Sequence, residues 1–472
     1  MKSTLITNVS LPDRSQQQQV LIENGRIAQI SSYIASQPHI VCNFDAKGGC
    51  LLPSLNDHHI HLLSLAASRN SLDCTRMRIT TKQALIDTLR VSSSPQSQWL
   101  RITGYHTGIA GDIDRFQLDQ WIRNRPVRIQ HRGGRLWILN SAAIANLLSD
   151  PSTPAPCGLE YGNKGFTGRL YEGDSWLRGQ IGASFPTVGT VSLELARMGI
   201  TGFTDATPSN GTQEWQYFNL SQQSGELLQT VRMMGSLELN DSVNTPQLQL
   251  GEYKVHLLES NMPVFDELCE DLQLAHSKNR NIAFHCVTRL ELVFALAALR
   301  AVGVKQGDRI EHASITPPEL LEQLQSMGLG VVTQPQFIRE RGDDYLRNVD
   351  EDDLPWLYRC HAFLKPGISL AAGSDAPFGD MNPWAAMQDA VMRTTEAGQI
   401  IGSEEKLTPE QALKLYLGTL EMPASGNWSL IEGAYADLCL LDRTWLEARE
   451  NLANVQVQAT WHRGTLIYHD SD

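Results

Sequence analysis

The chain has no run approaching the ~18 consecutive apolar residues that a membrane-crossing helix needs. Its opening residues, Met1-Lys2-Ser3-Thr4-Leu5-Ile6-Thr7-Asn8, turn polar before an apolar signal core can form. Basic side chains are scarce: 39 Lys and Arg stand against 52 Asp and Glu, a net charge of −13. That excludes the basic footprint of a nucleic-acid binder and the polybasic patch of a membrane anchor. The eight cysteines (Cys42, Cys50, Cys74, Cys157, Cys269, Cys286, Cys360, Cys439) are scattered, and no CxxC occurs. In a chain of 472 residues they read as free thiols, not as a disulfide framework. There is no internal repeat, and Gln16-Gln17-Gln18-Gln19 is too short to count as low complexity. Together these absences predict a soluble, cytoplasmic protein.

The composition is that of a chain that folds on a core, with 42% hydrophobic and 19% charged residues, which argues against disorder. At about 100–200 residues per domain the length suggests two to four units. The first fifty residues read as β. Gln19–Glu23 and Arg26–Ile30 flank Asn24-Gly25, a pair suited to a tight two-residue hairpin turn. The last forty read alike, with strands over Ala436–Leu441 and Val455–Trp461, a turn at His462-Arg463-Gly464, and Thr465–Tyr468 after it. Neither end makes an independent sheet, so the two are expected to join in one small β-sandwich over 1–52 and 429–472.

Between the ends, short apolar strands alternate with helical stretches. Leu51–Asp57, Ile200–Asp205, Thr230–Met234, Tyr253–Leu258, Ile282–His285, Arg309–His312, Gly330–Thr333 and Leu370–Asp375 make eight. Eight such units predict a (β/α)8 barrel of the TIM type, with its active site at the C-terminal ends of the strands. The barrel takes residues 53–64 and 186–428. About 140 residues separate its first two strands, far more than a helix and a loop require. Residues 65–185 are therefore expected to form an inserted lobe over the barrel mouth. The lobe includes Trp99–His106, Pro126–His131 and a glycine-rich run from Gly158 to Gly173. Its tryptophans, Trp99, Trp121, Trp137 and Trp176, suit either its own core or an apolar pocket wall. Near 408, Thr408, Pro409 and Gln411 form a helix-start signal.

Polar residues at the strand ends carry the chemistry. His59 and His61 are two apart, hence on one face of a strand, and two imidazoles there can chelate one divalent metal. His58 is out of phase. His285 ends the fifth strand, His312 the sixth and Asp375 the eighth, while Lys254 lies in the fourth. Each alone has an ordinary reading: a packed histidine, a helix-capping carboxylate, a lysine reaching along a strand. All together, at matching ends of strands around one axis, they point to a metal centre. Asp57 is in phase with the two histidines and is a candidate to orient a ligand imidazole. Asp205 reads as a loop organiser and Cys286 as core.

On these residues the chain resembles the amidohydrolase superfamily of metal-dependent hydrolases, and within it the branch of the N-substituted formamide deformylases. The resemblance runs through Pro53–His61, Asn140–Ala143, Gly199–Ala206, Arg309–Ala313, Gln334-Pro335, Gly373–Pro377 and Ala436–Leu438. It implies that His59, His61 and Asp375 hold one metal and His285 and His312 a second. It further implies that Lys254, carboxylated by CO2, bridges the two. Zinc suits imidazole, carboxylate and carbamate ligands; manganese, iron or nickel fit as well. The implied reaction is hydrolysis of a non-peptide C–N bond in a small molecule by a metal-bound hydroxide, with Asp375 as proton carrier.

The chain departs from the branch at two places. An Asp-Gly pair commonly follows the lysine strand in relatives, whereas here Val255-His256-Leu257-Leu258 follows Lys254. His256 is in phase with Lys254 and nearer the mouth, a candidate substrate contact or extra ligand. Where relatives often have Gly-His, this chain has Gly134-Arg135, and Arg135 would favour an anionic substrate. Deaminases of the superfamily commonly use one metal and a glutamate three residues after the fifth-strand histidine; here that position is Thr288. Two other readings stand beside the hydrolase: a one-metal amidohydrolase or deaminase, and a non-catalytic regulator on the same fold. Homo-oligomerisation is left open.

Overall fold

The computed structural model describes residues 3–35, 40–69, 71–74, 77, 79–91, 99–150, 153–182 and 185–470. The chain divides into two compact units, Met1–Leu62 with Val188–Asp472, and Leu63–Thr187. No helix among the described residues is long and apolar enough to cross a membrane. All eight cysteines are free.

The larger unit contains an eight-stranded, all-parallel sheet. In spatial order its strands are Leu55–Ile60, Ile200–Asp205, Thr230–Gly235, Leu248–His256, Ile282–Cys286, Arg309–His312, Gly330–Thr333 and Leu370–Ala372. Order in space follows order in sequence, as a (β/α)8 barrel requires. The first and last strands meet through the Asp375 amide, which donates to the His59 carbonyl at 2.7 Å. The Ser374 amide donates to the Asp57 carboxylate at 2.9 Å in the same seam. A side chain at Gly373 would strike the His59 backbone, at 2.4 Å from its nitrogen. Glycine at that position lets the seam close.

Three strand boundaries differ clearly from expectation, and one is the fourth strand, which runs over Leu248–His256 and not Tyr253–Leu258. The predicted strand Leu51–Asp57 is two strands, Leu51–Pro53 and Leu55–Ile60, in different sheets. Pro53 offers no N–H to continue a ladder. Beyond it the Ser54 amide donates to Asp437 and the Leu55 amide to Gly199, which redirects the chain. The eighth strand stops at Ala372, so Asp375 stands on the loop beyond it, at φ 54°.

Both termini build the sandwich. One four-stranded sheet holds Ser3–Val9, Gln18–Glu23, Arg26–Ser31 and Ile40–Asp45. The other holds Leu438–Leu441, Val457–His462, Thr465–His469 and the short strand Leu51–Pro53. Asn24 and Gly25 both have positive φ, the backbone that a primed hairpin turn demands. The two sheets share one core, including Ile6, Val20, Ile22, Leu51, Leu438 and Trp461. The helix Pro409–Lys414 starts with the expected capping box of Thr408 and Gln411.

The smaller unit is a six-stranded mixed sheet. Its strands in spatial order are Leu159–Gly162, Gly165–Tyr171, Leu136–Leu139, Val127–His131, Leu100–Tyr105 and Leu72–Asp73. The glycine-rich run thus forms a hairpin. Two apolar clusters flank this sheet, one with Trp121 and Ile129, the other with Trp137 and Leu139. All four tryptophans belong to these clusters, Trp99 and Trp176 at their edge.

Candidate metal centre

The strand register brings most of the predicted residues together. His59 lies at the end of the first barrel strand and His61 just beyond it, and their rings are 5.3 Å apart, edge to face. Asp375 reaches back over the seam, with Oδ1 3.1 Å from His61 Nε2 and 3.5 Å from His59 Nε2. One ligand atom from each of the three lies within 4.8 Å of the others, a group able to hold a metal ion. The His312 ring lies 4.8 Å from His59, tilted to it, and the His285 ring lies 4.4 Å from His312. His256 follows at 4.4 Å from His285, its register partner. The imidazoles therefore form a continuous arc from the first strand to the fourth, running through the sixth and fifth.

Lys254 lies in the same interior, 4% exposed, and its Nζ has no hydrogen-bond partner. His312 Nε2 is likewise buried and unpartnered. Buried polar atoms are nearly always satisfied, so two orphans beside a His-His-Asp group suit a metal-liganded site. The chemistry of these donors fits as well: nitrogen and carboxylate ligands suit zinc and its neighbours. Burial, with help from Arg309, pulls the Lys254 amine down to about 8, against the pull of Glu311 and Asp375. A neutral amine is the form that reacts with CO2. Burial and the neighbouring His59 bring His312 down to about 3, so it is a neutral imidazole with a lone pair to give.

Asp375 stays ionised. Burial opposes its charge, but hydrogen bonds from His59 and His61 hold it well below the usual carboxylate range. For His59, burial and the Lys254 charge press downward, and Glu311 with Asp375 override them, leaving it above its ordinary value.

Sequence reasoning overlooked the groups that aim the ligands. Glu311, fully buried, takes the His59 Nδ1 at 2.5 Å, and its other oxygen accepts from Arg309 Nε at 2.6 Å. Burial alone would neutralise Glu311, yet Arg309, Lys254 and His59 hold it well below the carboxylate range. His312 Nδ1 meets Gln334 Oε1 at 2.7 Å, and His61 Nδ1 meets Thr207 Oγ1 at 2.9 Å. In each case one ring nitrogen is engaged, which leaves the other for the centre. Asp57 does not orient an imidazole. It accepts the backbone amides of His59 and Ser374 and so ties the first strand to the loop after the eighth. Asp205 organises its loop, accepting from Leu62, Thr207 and Asn210. His58 is fully buried and lies apart, with burial and Arg309 bringing it to about 3.

Glu311 and His312 are adjacent, and neighbours on a strand normally face opposite ways. His312 takes φ 68° and Ala313 φ 47°, which turns the backbone and lets both side chains approach His59. Non-glycine residues rarely adopt that conformation, and it gathers at functional sites. Thr288 serves its helix, Arg289–Val302, its Oγ accepting from the Glu291 amide at 3.2 Å. Arg135 belongs to the smaller unit, on the turn before Leu136–Leu139, with Nε 3.8 Å from Glu172 and about a third of its side chain exposed.

Known proteins share this fold and sequence pattern. Residues 43–468 match the profile described as the amidohydrolase family. An N-substituted formamide deformylase of Arthrobacter pascens is 24% identical, over 96% of this chain and 95% of its own. A putative amidohydrolase, YtcJ, of Bacillus subtilis is 22% identical over 90% of each chain. Among solved structures, an uncharacterised metal-dependent hydrolase from Pyrococcus horikoshii superposes with a TM-score of 0.73 at 20% identity, covering 95% of this chain and 99% of its own. With a match that spans nine-tenths of its length, the chain belongs to the amidohydrolase family.

Proposed function

We propose that this protein hydrolyses a non-peptide C–N bond of a small amide, formamide or cyclic amide at a pair of divalent cations. His59, His61 and Asp375 would hold one cation and His285 and His312 the other, with Lys254 between them as a carbamate. The observation that carries the reading is the buried, unpartnered Lys254 Nζ, close enough to His59, His312 and Asp375 for the charges to interact. A one-metal site gives that amine nothing to do. A divalent ion bound there would polarise the scissile carbonyl and lower the pKa of an attacking water.

The chain supplies the rest. Asp375, held ionised beside His61, would take the proton of the attacking water and return it to the leaving nitrogen. Glu311, Gln334 and Thr207 fix the rings of His59, His312 and His61, so little reorganisation accompanies the reaction. His256, beside His285 and only partly buried, is the candidate substrate contact. The deaminase reading is weaker, because Thr288 is committed to capping a helix. The relative named as a formamide deformylase makes N-substituted formamides the first substrates to try.

The test is metal analysis with activity screening. Purified protein grown with zinc and bicarbonate is expected to carry about two equivalents of divalent ion. His59→Ala and Asp375→Asn should lose metal and hydrolysis together. Absence of metal in the wild type under those conditions would sink the binuclear reading. Ammonia release from aminated heterocycles, without amide cleavage, would favour deamination instead.

A further inference from the structure

The smaller unit carries a second unexplained charge cluster. Arg101, on Leu100–Tyr105, and Arg128, on Val127–His131, are register partners on adjacent parallel strands. Like charges set side by side across a ladder weaken it. Burial adds to that cost, because the Nε of each is enclosed and without a hydrogen-bond partner. Among the described residues Arg101 makes one hydrogen bond, from Nη2 to Gln130 Oε1 at 3.2 Å. Arg128 makes no hydrogen bond and no ion pair with any described residue.

The charge of Asp174 acts on both but balances them only in part, since burial still lowers each arginine. The nearby Asp174 carboxylate accepts from Trp137 Nε1 at 3.1 Å, and among the described residues it pairs with neither arginine. Both guanidinium carbons lie 5.4 Å from the Trp137 ring centre, and that of Arg128 lies 5.9 Å from Trp99. Burial and the mutual repulsion of the two cations bring Arg101 down to about 10. The sheet thus presents two forked donors, underused, against two indole rings.

We propose that Arg101 and Arg128, flanked by Trp99 and Trp137, form a binding site for an organic carboxylate. Paired guanidinium forks match the two oxygens of a carboxylate. Trp99, only partly buried, offers apolar surface to the body of the ligand, while Trp137 backs the two guanidinium groups from the core. The site lies wholly within the smaller unit and does not depend on the metal centre.

Calorimetric titration of the full chain with benzoate, acetate and inorganic phosphate tests this. Benzoate should bind one per chain, more tightly than acetate or phosphate, and raise the melting temperature. Arg128→Met and Arg101→Met should weaken benzoate at least ~10-fold, as loss of a charge-assisted pair does. Asp375→Asn, which alters only the metal centre, should leave benzoate binding unchanged. Without ligand, Arg128→Met should melt no lower than wild type, since it removes a partly buried charge that has no ion pair among the described residues. Arg128→Lys, which keeps the charge but loses the fork, should fold normally and bind weakly. The proposal is overturned if benzoate gives neither heat nor stabilisation, if Arg128→Met binds it as wild type does, or if phosphate binds more tightly. A lower melting temperature for ligand-free Arg128→Met would also overturn it, by making the arginine a structural strut.

Discussion

Single residues in the centre divide into those that would touch an ion and those that aim them. Glu311 is the chief member of the second kind. It keeps the His59 ring in place and is itself held ionised by Arg309. Glu311→Gln removes the charge and leaves the shape. It is expected to lower metal affinity or kcat/KM about 10–100-fold, as loss of such orienting partners does, with the far-ultraviolet circular dichroism unchanged. Unaltered metal content and rate in that variant would mean that His59 needs no such support. The candidate ligands were legible in the sequence because each is a histidine, a lysine or an aspartate at or just beyond the end of a short apolar strand. Glu311 was not, because neighbours along a strand ordinarily face opposite ways, which sets it apart from His312. Only the left-handed backbone of His312 overrides that alternation, and no local residue pattern announces it.

At the level of elements, the seam between the first and eighth strands governs the site. Three of the groups discussed, His59, His61 and Asp375, stand on its two sides. Gly373→Ala would place a methyl group 2.4 Å from the His59 nitrogen and 2.6 Å from its Cβ. The seam must then open, at a cost of about 1–3 kcal/mol. Chemical denaturation should show that loss, and the variant should also bind less metal than wild type. A variant with native stability and full metal content would show that the seam is slack. The eight strands could be read from their apolar runs and spacing. The division of the predicted first strand could not be read from Leu51–Asp57 alone, since it depends on where Ser54 and Leu55 find carbonyls, at Asp437 and Gly199.

For the whole molecule, the β-sandwich couples the two ends of the chain. Trp461 is 1% exposed in its core and meets Phe44 edge to face at 5.0 Å. Trp461→Ala should cost about 3–5 kcal/mol, measured as a shift in the urea midpoint. A midpoint within error of wild type would show that the sandwich contributes little to the stability of its unit. The same arrangement has a consequence for biosynthesis. Leu52 finds its ladder partner in Cys439, far along the chain. At ~5–20 residues per second, a ribosome needs about 20–80 s to deliver that partner. Through that interval Ile6, Val20 and Ile22, destined for the shared core, have no second sheet to cover them. Residues made well before Cys439 are thus among the last to be shielded, and the newborn chain stays open to aggregation there until the far strands arrive.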